Sequence, residues 1–419
     1  MKLKYKRLGD YIKEINVRNT ELNVNNLLGI NIDKYFMSSV ANIVGTDMTT
    51  YKIVKNGQFA CNRMHVGRDK RLPVALSKQV EDVIVSPAYN VFEIIDKEAL
   101  DPEYLMMWFL RREFDRNAWF YTDADVRGGL NWKDFCNMQL PVPSISKQKE
   151  TVKEYNVLIK RINLNKQLIQ KSEETARAIY KQWFIDFEFP DENGKPYKSK
   201  GGVMEFNNEL DKEIPKGWNL EKLGNLINYK KGFAFQSNDY TISGVPIVRV
   251  SDFKDKTIDT RNCNYLDVDQ AQEYSQYRLK TNDIIISTVG SWPNNPLSIV
   301  GKIVIVPELA NNSLLNQNAV RLRATKTERQ LFLYYRLIEK DFSDFILSGA
   351  QGSANQASVT LEHLFNFNVL IPSSEIGAQL YSSFNMLNKN IMIKEKENYF
   401  LESLKNILLS KIATLEDNL

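Results

Sequence analysis

The 419-residue sequence holds three cysteines and two histidines. Cys61, Cys136 and Cys263 are far apart and form no CxxC pair, so neither a disulfide framework nor a zinc finger is available. A reducing compartment follows as the expectation. Cys61 and His65, four apart, offer two metal ligands, which is fewer than a site needs. No apolar run approaches the ~18 residues that span a bilayer. The opening Met1-Lys2-Leu3-Lys4-Tyr5 is charged and lacks an apolar signal core, so a cytoplasmic protein with no membrane partner is expected.

Catalytic signatures are missing as well. An amino-methyltransferase needs Asn or Asp, two prolines and an aromatic to hold the target amine. Asn294-Asn295-Pro296-Leu297 lacks the second proline and the aromatic. Gly301-Lys302 is followed by Ile303, and Pro296 stands where a P-loop needs its first glycine. Asp191-Glu192 with Lys195 imitates a nuclease triad inside a turn-rich stretch, and neither His65 nor His363 accompanies a nucleophile elbow.

What is present is ordinary in bulk: 43% hydrophobic residues, 25% charged and a net charge of +4, a soluble chain long enough for two or more domains. Its order is not ordinary, because the chain repeats itself. Tyr5-Lys6-Arg7-Leu8-Gly9-Asp10 matches Leu220-Glu221-Lys222-Leu223-Gly224-Asn225, each opening a half. Tyr104-Leu105 leads a helical segment ending at Phe114, and Phe332-Leu333 leads one ending at Phe342. Each half then passes a glycine-bearing loop, 125–129 or 349–353. Each closes on an apolar-proline strand end, Leu140-Pro141-Val142-Pro143 or Val369-Leu370-Ile371-Pro372. The offset drifts from 215 (Leu8 to Leu223) to 229 (Pro143 to Pro372), which implies insertions in loops and an unchanged order of elements.

Between these landmarks β patterning dominates: Val83–Val85, Val245–Val250, Asp283–Ser287 and Lys302–Val306 are β-branched runs bounded by Gly, Pro and Asn. Each domain therefore reads as α+β. After each closing proline comes a helix-patterned segment with an interrupted heptad stripe. The first carries Tyr155, Leu158, Ile162, Ile169, Ala176, Ile179 and Trp183, with Asn165 and Ser172 as polar breaks. The second carries Leu380, Leu387, Ile391, Leu401, Leu404, Leu408 and Leu415. Neither stripe can stay in water, and the simplest partner for each is the other helix. About 40 residues at 1.5 Å each give a rod of about 60 Å, long enough to hold two domains apart. The expected division is 1–143 domain, 144–189 helix, 190–218 linker, 219–372 domain and 373–419 helix. Within the linker, order is expected at Ile214-Pro215-Lys216-Gly217-Trp218, where an aromatic can dock on the next domain.

The segment Thr175-Ala176-Arg177-Ala178-Ile179-Tyr180-Lys181-Gln182-Trp183-Phe184-Ile185-Asp186-Phe187-Glu188 resembles the end of the central helix of type I restriction–modification specificity subunits. Glu213-Ile214-Pro215-Lys216-Gly217-Trp218 looks like the opening of that family's second target-recognition domain. Val85-Ser86-Pro87-Ala88-Tyr89 and Leu315-Asn316-Gln317-Asn318 are similar to segments of its recognition domains. The resemblance covers essentially the whole chain. It implies two recognition domains, each reading one part of a split duplex-DNA target, separated by two long antiparallel helices in a pseudo-twofold arrangement. Those helices fix the gap between the parts and dock two methyltransferase (modification) subunits, which translocase–nuclease (restriction) subunits join. S-adenosylmethionine, ATP and Mg would sit on those partners, and this chain would carry no cofactor and no metal.

Arg, Lys, Asn and Gln pair with phosphates and base edges, so basic and amide-bearing loops are the DNA-binding candidates. In the first half these are Asn62, Arg63, His65, Arg68, Lys70 and Arg71, with Arg127 beside Gly128-Gly129. In the second they are Lys230 and Lys231, then Trp292, Asn294 and Asn295, then Gln351, Ser353, Asn355 and Gln356. The alternative is a solvated turn between two strands for the 62–71 cluster, an ordinary loop for Arg127, and local packing for Trp292. Two rival functions stay open, a self-contained restriction–methylation enzyme and a coiled-coil scaffold for protein partners. A closer variant is an orphan or phase-variable specificity subunit with different partners.

Overall fold

A computed structural model describes residues 5–39, 45–64, 66–122, 128–292, 299–353 and 356–414. The chain divides into two compact units, residues 1–163 with 399–419 and residues 164–398.

In the first unit the repeat's opening and closing words are strand partners: Tyr5–Arg7 pairs antiparallel with Gln139–Pro141. The main sheet is antiparallel and ordered Ile12–Ile15, Asn90–Ile94, Phe59–Cys61, Val74–Leu76. Phe59 and Phe92 stack at 5.0 Å between ring centres, and Phe109 and Phe135 close the same aromatic core.

The second unit uses the same plan. Asn219–Lys222 pairs with Asn368–Ile371, and the main sheet runs Ile227–Lys231, Ala319–Ala324, Ile284–Ser287, Ile303–Ile305. Both sheets thus place their chain-order strands first, fourth, second, third. The glycine of each opening word has one physical reason. A Cβ on Gly9 would lie 2.9 Å from the Cβ of Cys136, and one on Gly224 3.0 Å from that of Phe365, so each lets the chain pass close over a short helix. The second unit adds a sheet ordered Tyr240–Thr241, Asn264–Leu266, Val245–Val248, Leu314–Leu315, whose last pair is parallel.

The helical segments after Tyr104 and Phe332 differ from the sequence expectation. Each is two helices, Pro102–Phe109 then Arg112–Phe120, and Gln330–Leu337 then Lys340–Ser348. Arg111 and Glu339 take extended backbone at the breaks, which turns Phe114 and Phe342 into their cores. Segment 190–218 also holds more structure than a linker needs. It forms the hairpin Met204–Asn207 with Lys212–Pro215, and Phe189 stacks between Tyr197 and Trp218 at 4.5 and 5.2 Å.

The long helices are Ile145–Tyr180 and Ser374–Lys411, and the first ends in a π turn, Lys181–Ile185. In the second unit Asn165 donates to Asn398 at 3.1 Å, and Glu173 lies beside Glu395. As one helix advances the other recedes, so the pair is antiparallel. A buried Asn–Asn contact in such a seam fixes register at some cost in stability, here with Asn165 Oδ1 left without a partner. In the first unit Leu158 and Leu408 line one groove together with Lys153 and Lys411. The stripes do not find only each other. Ala176 and Leu380 are buried in the second unit's core, where the neighbouring Phe384 meets Tyr335 at 4.6 Å. Leu404 stays half exposed, and Leu415 lies outside the described residues.

Candidate nucleic-acid interface

The first unit's candidate loop follows the buried strand Phe59–Cys61 and runs into a single helical turn, Val66–Asp69. Asn62 accepts from the Met64 amide at 3.1 Å, an Asx turn that sets the loop's direction. Arg63 is internal bracing: Nε donates to Asn90 Oδ1 at 2.7 Å, Nη1 to the Leu130 carbonyl, and the guanidinium lies 5.8 Å from the Trp132 ring centre. The other basic side chains reach the surface. Arg68 forks onto Asp69 at 2.7 and 3.0 Å, Arg71 reaches Asp33 at 2.9 Å, and Lys70 sits 4.8 Å over the Trp119 ring.

Two candidate loops far apart in sequence meet here. The Gly67 amide donates to Gly128 O at 2.7 Å, and a Cβ on Gly67 would come within 2.7 Å of the Gly128 Cα. Glycine is required on both sides, and Gly128 takes φ +55° besides. Gly128 thereby packs against the base of the 62–71 loop. His65 and Arg127 themselves lie outside the described residues.

In the second unit Lys230 and Lys231 end the edge strand Ile227–Lys231. Lys230 Nζ donates to Gln276 Oε1 and lies 4.8 Å over Tyr277, while Lys231 is exposed. Gly232 comes next, and a Cβ there would sit 1.8 Å from the Asn316 carbonyl oxygen, so only glycine lets the strand leave the sheet at that point. Trp292 and the amide-rich loop come together as well. Gln351–Ser353 and Gln356–Ser358 form a hairpin that adds to Val289–Gly290, and Trp292 Nε1 donates to the Ser353 carbonyl at 2.8 Å. Gln351, Ser353 and Gln356 are exposed on it. Asn294, Asn295 and Asn355 lie outside the described residues, as does the Asn294–Leu297 word weighed as a methyltransferase loop.

The rejected motifs have structural roles. Asp191 Oδ1 accepts from the Asn193 and Lys195 amides at 2.8 Å each, closing a turn. His363 packs flat on Phe345 at 4.1 Å, with Nε2 2.7 Å from that residue's carbonyl. Cys61 and Cys263 are buried, and burial pushes both thiols up to about 12, far from thiolate reactivity. Among the described residues no three His, Cys, Asp or Glu side chains are grouped to hold a metal, and no helix is long and apolar enough to cross a membrane.

Composition hid one feature. The helix Arg112–Phe120 ends in three exposed aromatics: Trp119 at 43%, Phe120 at 80% and Tyr121 at 46% exposure. An apolar triplet in a sequence reads as core. Only the buried face of this helix, Phe114, Asp115 and Ala118, shows that the triplet points away.

A family model described as "Type I restriction modification DNA specificity domain" matches residues 215–403. The MjaIX type I specificity subunit of Methanocaldococcus jannaschii is 24% identical over 76% of this chain and 70% of its own. The chain is thus similar in sequence to type I specificity subunits, and the matching family domain lies in its second half. The HindI specificity subunit of Haemophilus influenzae, 18% identical, matches 92% of each chain. In fold, the chain is similar to the S subunit of a type I restriction-modification system from M. genitalium, known from a crystal structure. It superposes with a TM-score of 0.56 at 14% identity, covering 98% of this chain and 96% of that one.

Proposed function

We propose that this chain is a specificity subunit that reads a bipartite duplex-DNA target and carries the chemistry of partner subunits to it, in the cytoplasm. Residues 1–143 and 219–372 would each read one part, through the 62–71 and 127–129 loops in the first, and Lys230–Lys231 and the Trp292 hairpin in the second. The observation that carries this reading is the duplicated fold: one strand order in both sheets and one set of paired opening and closing words. Two like readers on one chain give two half-sites.

The long helices supply a docking surface for two methyltransferase subunits, which restriction subunits join. Besides its buried stripe the second long helix carries an outer one, Met386, Ile393, Phe400 and Ile407, at intervals of seven and each at least half exposed. An exposed heptad stripe calls for further helices. On the first long helix Val157 and Leu164, also seven apart, are exposed too. S-adenosylmethionine, ATP and Mg belong to those partners in this reading, and the helices set the gap between half-sites.

The test is methyl transfer to duplex DNA from radiolabelled S-adenosylmethionine. The purified chain alone gives none, and the chain with its methyltransferase partner gives transfer to one specific sequence. Transfer by the chain alone would overturn the reading in favour of a self-contained enzyme.

A further inference from the structure

We propose that the outer face of the helix Arg112–Phe120, with Arg112, Arg116 and Phe120 one turn apart, is a DNA-contact surface of the first unit that no loop motif announces. The inference rests on the proposed DNA-reading function and adds where the first unit holds the backbone.

Four observations carry it. First, the helix buries Phe114, Asp115 and Ala118 and turns Arg112, Arg116 and Phe120 to solvent. Second, it borders a cleft of about 920 Å³ whose lining holds five cations against three carboxylates. Those carboxylates are already engaged: Asp33 by Arg71 at 2.9 Å, Asp115 by the buried Lys34 at 2.7 Å, and Glu113 by Arg116 at 3.3 Å. The cleft keeps a positive excess, and Arg111 at its floor has an Nε without a partner. Third, the helix joins the candidate loops, because Trp119 lies under Lys70 and the Thr122–Leu130 bridge ties its end to the loop bearing Gly128. Fourth, the repeat provides an internal comparison. The matching helix Lys340–Ser348 keeps the core positions, Phe342 for Phe114 and Ile346 for Ala118. Its outer face is Lys340, Asp344 and Ser348, all exposed, so the scaffold is shared and the cationic, aromatic face belongs to the first unit alone.

Guanidinium groups with an exposed aromatic suit a phosphodiester backbone flanked by bases: arginines neutralise phosphates and a ring packs against sugars or base faces. A solvated helix face would need charge but not an aromatic as exposed as Phe120.

The experiment measures binding of the full chain to a fluorescent 30-bp duplex across a KCl series, with R112A/R116A, R112K/R116K and F120A. The arginine-to-alanine pair should lower the slope of log K against log[KCl] by about two, equally for target and unrelated duplexes. The lysine pair should keep the slope, since lysine also neutralises phosphate. F120A should weaken binding roughly tenfold and leave the slope unchanged. Wild-type binding with the same slope and affinity in R112A/R116A overturns this proposal and leaves the DNA-reading function standing. Failure of the wild type to bind any duplex, with its methyltransferase partner present, instead removes the function on which the proposal rests.

Discussion

Asp283 ends a turn just before the buried strand Ile284–Ser287, with its side chain only 4% exposed. Arg323, on the adjacent strand, clamps it with both nitrogens, Nη2 to Oδ2 at 2.8 Å, while the Lys280 amide donates to the same oxygen at 2.6 Å. Removing the guanidinium leaves a buried carboxylate uncompensated, so Arg323→Ala should cost about 3–5 kcal/mol, read as a lower urea midpoint. A midpoint within error of wild type would show that water reaches Asp283. At this scale the sequence speaks unevenly. It shows that Arg63, Arg68, Lys70 and Arg71 crowd one loop, but not that Arg63 is spent on Asn90 and the Leu130 carbonyl while the others face out. Side-chain direction in a loop depends on contacts such as Gly67 against Gly128, some sixty residues apart, which no local pattern encodes. The exposure of the Trp119–Tyr121 triplet is illegible in the sequence for the converse reason. Apolar residues read as buried until the other face of their helix is seen to be filled.

Among the elements, the helix pair was the most legible, since heptad spacing is a property of sequence alone. Its partners were not, because the second unit's core also draws on Ala176, Tyr180, Leu380 and Phe384. Between these helices Glu395 stands beside Glu173, and burial pushes its carboxyl up to about 7 from 4.5. Glu173 is itself held by Lys256, with Arg177 and Asp255 on the same cleft. The unfolded chain gives up this proton near 4.5 and the folded one keeps it to about 7. Between those values the folded state binds more protons, so stability falls as pH rises, and the full cost, roughly 3 kcal/mol, is present only above about 7. Glu395→Gln should therefore stabilise the protein strongly at pH 8 and only slightly at pH 5 in urea titrations. An equal gain at both values would mean that Glu395 is already ionised at pH 5.

At the level of the whole molecule, four landmarks in fixed order foretold a duplicated fold, and the first and last prove to be anchoring points: Tyr5–Arg7 on Gln139–Pro141, Asn219–Lys222 on Asn368–Ile371. The added sheet of the second unit, with its parallel pair of Val245–Val248 and Leu314–Leu315, was not foreseeable, because register across sixty-odd residues depends on insertions the repeat does not share. The central claim is that two like readers on one chain address a divided target, with the gap set by the helices. Its most direct measurement is a long-read map of methylated motifs in a cell expressing the methyltransferase partner, with the chain and with a version carrying seven extra residues within 150–180. The account predicts one split motif, and in the longer version the same two halves at an altered gap. A contiguous motif, an unaltered gap, or the same methylation without the chain would contradict it.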